Sequence, residues 1–203
     1  FQALLDAAAL HGRGTLILED TQRHHSYRDL LKASLALGRL CARLAGEGEI
    51  VGVVMPNLAT TVALLFGLGA MRRTPALLNY TAGPDALRSA CIAAGIKTLV
   101  TSRRFVDVAR LGSSIAALST LRIFYLEDLR AQFGVLDKLW LIGWALWRPR
   151  AAVPLSDPDE TAVVLFTSGS EARPKGVALS HRALLANIAQ MGAVIDYTPN
   201  DKF

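Results

Sequence analysis

The sequence predicts an open α/β fold: a mostly parallel sheet with helices on both faces. Three observations carry that expectation. Helix-like and strand-like segments exchange in turn from Ser26 to Leu126, a rhythm that builds a parallel sheet covered by helices. Residues 50–55 form a continuous apolar run, the pattern of a strand buried on both faces. A second such run, 161–166, leads straight into a Gly/Ser/Thr-rich loop, and open α/β folds bind ligands off such carboxyl ends. With 203 residues, 52% of them hydrophobic, the chain can bury a core as one sizeable domain or two small ones.

The elements follow in order. Ser26-Tyr27-Arg28-Asp29 resembles a capping box, and Tyr27, Leu31, Leu35, Gly38, Cys41 and Leu44 then recur at helical spacing. Gly46 and Gly48 stop this helix. Pro56-Asn57 breaks the strand at 50–55, a helix is predicted over 60–71, and a strand over 74–79. Residues 84–94 read as a helix with Gly95 as its C-terminal cap. A strand at 97–101, a helix at 104–118 and a strand at 121–126 continue the alternation. Residues 133–147 interrupt it with Trp140, Trp144 and Trp147, flanked by Lys138, Arg148 and Arg150. The expected organisation is an α/β subdomain over 1–150 with this Trp-rich insert, a Pro- and Asp-containing linker over 151–160, and a strand, loop and helix (180–195) over 161–203 that begin the next subdomain.

Charge and cysteine usage narrow the function classes. The net charge of +5 is modest, and no Lys/Arg run is interleaved with aromatics, so nucleic acid is not an expected partner. A mildly basic chain suits anionic ligands instead, whether a nucleotide, an acidic carrier protein or an anionic membrane surface. Cys41 and Cys91 lie in apolar helical surroundings and are expected as buried, reduced thiols rather than a disulfide or metal pair. No apolar run approaches the length that spans a bilayer. The opening residue is Phe1 rather than Met, so the chain is expected to be a piece of a longer polypeptide.

The loop Thr167-Ser168-Gly169-Ser170-Glu171-Ala172-Arg173-Pro174-Lys175-Gly176 has the makings of a phosphate grip. Gly169 permits backbone conformations that bring amides close to an anion. Thr167, Ser168 and Ser170 supply hydroxyl donors, and Lys175 a point charge suited to β- and γ-phosphates. Pro174 is expected to fix the chain before the lysine, and Gly176 to let it turn onward. The loop is not of the Walker type, which needs Gly-Lys followed by Ser or Thr. A ligand-free strand-to-helix turn of similar composition is the plain alternative.

Thr-Ser-Gly-Ser-x-x-x-Pro-Lys-Gly, followed by Ser180-His181 and Asn187, resembles the signature of the adenylate-forming superfamily. Ser26-Tyr27-x-x-Leu30 and Val51-Gly52-Val53-Val54-Met55-Pro56-Asn57 match its early helix and strand. Glu171, the Trp-rich insert and Leu184-Leu185-Ala186-Asn187-Ile188-Ala189-Gln190 further resemble the synthetase half of the bacterial bifunctional acyl-ACP synthetase/2-acylglycerophosphoethanolamine acyltransferase family. The resemblance implies the N-terminal part of an adenylate-forming large domain, using ATP and Mg²⁺, a fatty acid, and acyl carrier protein or CoA as thiol acceptor. It implies Thr167, Ser168, Gly169, Ser170, Glu171, Lys175 and Gly176 as the ATP-binding residues, with no catalytic residue of the family within these 203 positions. The family usually has Gly where this chain has Ala172, and its adenine-gripping motifs and catalytic lysine lie beyond Phe203, so this stretch alone is expected not to adenylate.

Other side chains support weaker readings. His181, near a helix start, is expected as a structural residue rather than a general base. His24 and His25 are expected on an exposed turn, with no third metal ligand spaced nearby. Glu171 suits either a phosphate-bound Mg²⁺ or water. Tryptophans flanked by Lys and Arg suit a bilayer interface, so Trp140, Trp144 and Trp147 are read as peripheral membrane contacts, against packing on the protein's own core. The implied location is cytoplasmic, on the inner face of a bacterial inner membrane.

Overall fold

The computed structural model describes residues 1–20, 23–168 and 174–196, with only the backbone of Ser168. Upstream of the first predicted element it adds helix α1 (Gln2–His11) and an antiparallel pair, β1 (Leu16–Glu19) and β2 (His24–Ser26). His24 and His25 therefore stand in a strand rather than on an exposed turn. His25 is only 12% exposed, and its Nε2 lies 3.1 Å from Asp20 Oδ2. The predicted capping box opens α2 (Tyr27–Cys41): Ser26 Oγ accepts from the Asp29 N–H at 3.3 Å, and the Asp29 carboxylate accepts from the Ser26 N–H at 3.0 Å.

The remaining elements are β3 (Ile50–Val53), α3 (Ala59–Ala70), β4 (Thr74–Leu77), α4 (Pro84–Ala93), β5 (Thr98–Thr101), α5 (Arg103–Val108), α6 (Gly112–Ala116), β6 (Arg122–Tyr125), α7 (Leu126–Ala131), α8 (Val135–Trp140), α9 (Pro149–Ala152), β7 (Thr161–Ser168), β8 (Pro174–Ser180) and α10 (His181–Val194). Six strands form one sheet in the order β6-β5-β3-β4-β7-β8. Every neighbouring pair is parallel except β7–β8. The chain steps from β3 to β4 over α3, then returns past β3 to β5 over α4. Right-handed crossovers in opposite directions put their helices on opposite faces.

Burial confirms the two faces. Val51 and Val53 of β3 and Val100 of β5 pack with Leu30, Leu31 and Leu37 of α2 and Leu64 and Leu68 of α3. On the other side, Ala76 of β4, Leu99 of β5 and Val164 of β7 pack with Leu87 and Cys91 of α4 and Ile115 of α6. Side chains alternate along each strand, so one short apolar strand serves both cores. This is the predicted α/β architecture.

Two predicted elements change. The helix over 104–118 divides into α5 and α6, because Arg110 takes φ 53°, a conformation that ends a right-handed helix. The strand over 74–79 stops at Leu77, and the Asn79 side chain accepts from the Thr81 N–H at 3.0 Å to cap a 3₁₀ turn, Tyr80–Ala82. The sequence assigns no element to 174–180, yet Pro174–Ser180 forms β8; the helix predicted over 180–195 follows it as α10, with Ser180 as its N-cap. The stretch over 151–160 is fastened at both ends. Val153 is buried, Glu160 binds Arg72 at 2.5 Å, and Asp159 takes Arg182 at 2.7 and 3.0 Å. The strand that follows it joins the same sheet, beside β4.

Candidate functional site

The β7–β8 pair decides where the Gly/Ser/Thr segment goes. Ala76 of β4 pairs in parallel with Val164, and β7 continues past that point to Ser168. The segment therefore leaves the sheet at its carboxyl edge, where open α/β folds bind ligands. Asn79 stands as far past the Ala76–Val164 pairing as Thr167 does, so the turn after β4 and the end of β7 are level. Asn79 drew no functional reading from the sequence; its only signal was an amide directly after an apolar strand.

Within the pair, Thr167 lies opposite Lys175, Phe166 opposite Gly176, and Ser168 opposite Pro174. Directly opposed residues project from the same face. The Thr167 hydroxyl and the Lys175 ammonium are thus neighbours, and both residues are exposed. Gly169, Ser170, Glu171, Ala172 and Arg173 lie outside the described residues, as does the Ser168 side chain.

One expected role is corrected. Gly176 does not turn the chain. It sits in mid-strand without a positive φ, and a Cβ there would touch the Phe166 ring at 3.4 Å. Its small size lets that ring lie across the partner strand and pack into the α4-side core. Pro174 is the first residue of β8, on the sheet edge, where a missing N–H costs nothing.

The antiparallel run of β8 carries His181 away from this site. Ser180 pairs with Thr161, the first residue of β7, so His181 stands at the amino edge, about 20 Å from Lys175 at strand rise. There it lines a small polar recess with Arg72, Arg73, Ser156 and Glu160. Partial burial lowers its pKa. The geometry agrees with a structural histidine.

The three tryptophans differ in exposure. Trp140 is half-buried against Leu35, Met71 and Leu141, and the Arg39 guanidinium lies 4.5 Å from its ring centre. Trp144 is 43% exposed, with Arg148 at 6.0 Å, and Trp147 is 79% exposed. Beneath them Asp137 is 3% exposed. It accepts from Arg39 at 2.7 Å, from Arg43, and from the Gly134 N–H at 3.1 Å. Burial opposes ionisation of Asp137, but these donors outweigh it and hold the pKa low. The sequence reading missed this anchor, although a lone acid in an apolar stretch signals one.

Among the described residues, no group of three His, Cys, Asp or Glu side chains forms a metal site. No helix among them is long and apolar enough to cross a membrane.

Comparisons with known proteins agree on the fold. The chain is 27% identical over 196 residues to 4-coumarate--CoA ligase 2 of Oryza sativa subsp. japonica, covering 91% of this chain and 34% of that protein. It is 26% identical over 198 residues to pyochelin synthetase PchF of Pseudomonas aeruginosa, covering 97% of this chain and 9% of that protein. The chain thus spans about a third or less of the curated relatives it matches. Two solved structures superpose over nearly all of it. VinN in complex with 3-methylaspartate has a TM-score of 0.76 at 24% identity, over 96% of this chain and 51% of that one. The N-terminal domain of FACL13 from Mycobacterium tuberculosis has a TM-score of 0.73 at 19% identity, over 97% and 48%. The sequence pattern of the AMP-binding enzymes matches residues 4–203. With a family match over residues 4–203, the chain belongs to the AMP-binding enzyme family, the adenylate-forming ligases.

Proposed function

We propose that this chain is the ATP-loop part of a ligase that activates a fatty acid as acyl-AMP and passes it to the thiol of acyl carrier protein or CoA. The observation that carries the reading is the Thr167–Lys175 pair, a hydroxyl and a cation side by side at the carboxyl edge. In the first step a carboxylate oxygen attacks the α-phosphorus of ATP. The bond to the bridging oxygen of the β-phosphate breaks, and pyrophosphate leaves. In the second, the thiol sulfur attacks the acyl carbon, loses its proton, and AMP departs. Such transfers depend mainly on positioning and on neutralising charge that builds on the leaving group.

Lys175 takes the β- and γ-phosphate oxygens, Thr167 donates a hydrogen bond beside it, and Ser168, Gly169 and Ser170 complete the grip. A hydroxyl and an ammonium suit phosphate oxygens rather than a metal; Glu171 would orient a phosphate-bound Mg²⁺, which would neutralise charge on the leaving group, or would face water. The resemblance of 166–171 and 184–190 to acyl-ACP synthetases supports a fatty acid as substrate and lysophospholipid reacylation as its use. It also supports a cytoplasmic site on the inner face of a bacterial inner membrane.

The test is fatty-acid-dependent ATP–pyrophosphate exchange by the full-length protein. Lys175→Ala is expected to lower kcat/KM roughly 100-fold, the cost of removing one charge-stabilising donor. No exchange by the full-length protein, together with no Lys175-dependent protection by ATP, would leave the loop vestigial, in a non-catalytic membrane-interaction module. A different carboxylic acid is the second reading, favoured by a relative named for coumarate. A panel of fatty, aryl and amino acids in the same assay separates the two.

A further inference from the structure

The helical run from Val135 through Ala145 turns an apolar stripe to solvent. Val135, Leu136, Leu139 and Ile142 are 58–76% exposed, and they recur at helical spacing on one side. The opposite side of the run is anchored: Asp137, Leu141 and Ala145 are buried. Within 133–148 the only acid is Asp137, which is buried and already bound by Arg39 and Arg43. Lys138 and Arg148 are exposed and have no ion-pair partner among the described residues. At about 16 Å the run is too short to cross a bilayer.

We propose that this stripe is the protein's membrane-docking face. The aliphatic side chains enter the headgroup–acyl boundary, and Lys138 and Arg148 meet anionic headgroups. An in-plane helix with an apolar face and a cationic border binds this way. Charge complementarity selects a lipid surface over a second copy of the chain, because two such faces would set their cations against each other. The contact group differs from the sequence expectation. Trp140 is turned inward under Arg39, so the aliphatic residues carry the insertion. The inference stands on this surface alone and does not depend on which acid is activated.

The full-length protein, co-sedimented with vesicles of phosphatidylglycerol and phosphatidylcholine or of phosphatidylcholine alone, tests it. Binding to the anionic vesicles is expected to be at least tenfold stronger. Leu136→Ser/Leu139→Ser/Ile142→Ser is expected to weaken it at least tenfold. Lys138→Glu/Arg148→Glu is expected to remove the preference for anionic lipid. Retained ATP–pyrophosphate exchange shows that the triple variant is folded. The proposal is overturned if the wild type does not sediment with anionic vesicles, if the triple variant binds them equally, or if that variant instead converts a dimer to a monomer.

Discussion

Thr167 and Lys175 divide one task between two kinds of group. On the proposed reading, the lysine would bring a full charge to the leaving phosphates, whereas the threonine would bring a neutral donor that water can partly replace at an exposed edge. Thr167→Ala is therefore expected to reduce exchange activity about tenfold, well short of the loss at Lys175. Asp137 shows the opposite situation, a charge held out of water by its partners. Asp137→Asn keeps an acceptor for the Gly134 N–H but leaves two arginines uncompensated. Because both arginines reach solvent, the expected loss is about 1–3 kcal/mol, below that of a fully buried pair. The folded-state pKa lies below the unfolded value of about 3.9, so the stabilisation is complete above that value. It declines as pH falls below it and is gone once pH passes the folded value. Urea unfolding of wild type and Asp137→Asn between pH 6 and pH 3 checks this: the difference should shrink on acidification.

At the scale of elements, α2 and α3 meet through glycine. A Cβ on Gly38 would collide with the Gly67 carbonyl oxygen, and one on Gly67 would come within 2.5 Å of the Ser34 carbonyl oxygen. Gly38→Ala or Gly67→Ala is expected to push the helices apart at a cost of about 2–3 kcal/mol. For a chain of this size, thermal unfolding should show a drop of about 4–12 °C. Gly38 was legible as a member of the inward stripe of α2, but its close approach to α3 was not, since periodicity names a face and not its partner. The strands at 50–55 and 97–101 were legible because runs of β-branched and aliphatic residues suit burial on both faces. Strand β8 was not. Pro174-Lys175-Gly176 carries turn residues, and only pairing with β7 makes it extended, a tertiary override of local propensity.

On the whole-molecule scale, the sheet keeps Cys41 and Cys91 apart, one in each core. Burial raises their thiol pKa values to about 12 and about 11. Native protein at pH 8 should therefore resist iodoacetamide, and both thiols should react once urea unfolds the chain. Rapid alkylation of either in the native state would contradict the packing. The sequence by itself determined the alternation of elements, the apolar strands of a two-faced sheet and the capping box at Ser26, because these depend on local spacing and residue chemistry. Only the tertiary structure decided that Thr167 faces Lys175 across a strand pair, that His181 stands at the far edge, and that Trp140 turns inward while Leu136 and Leu139 face out. Each of these is set by strand register or by which side of a helix finds a partner. Contacts between distant parts of the chain choose both.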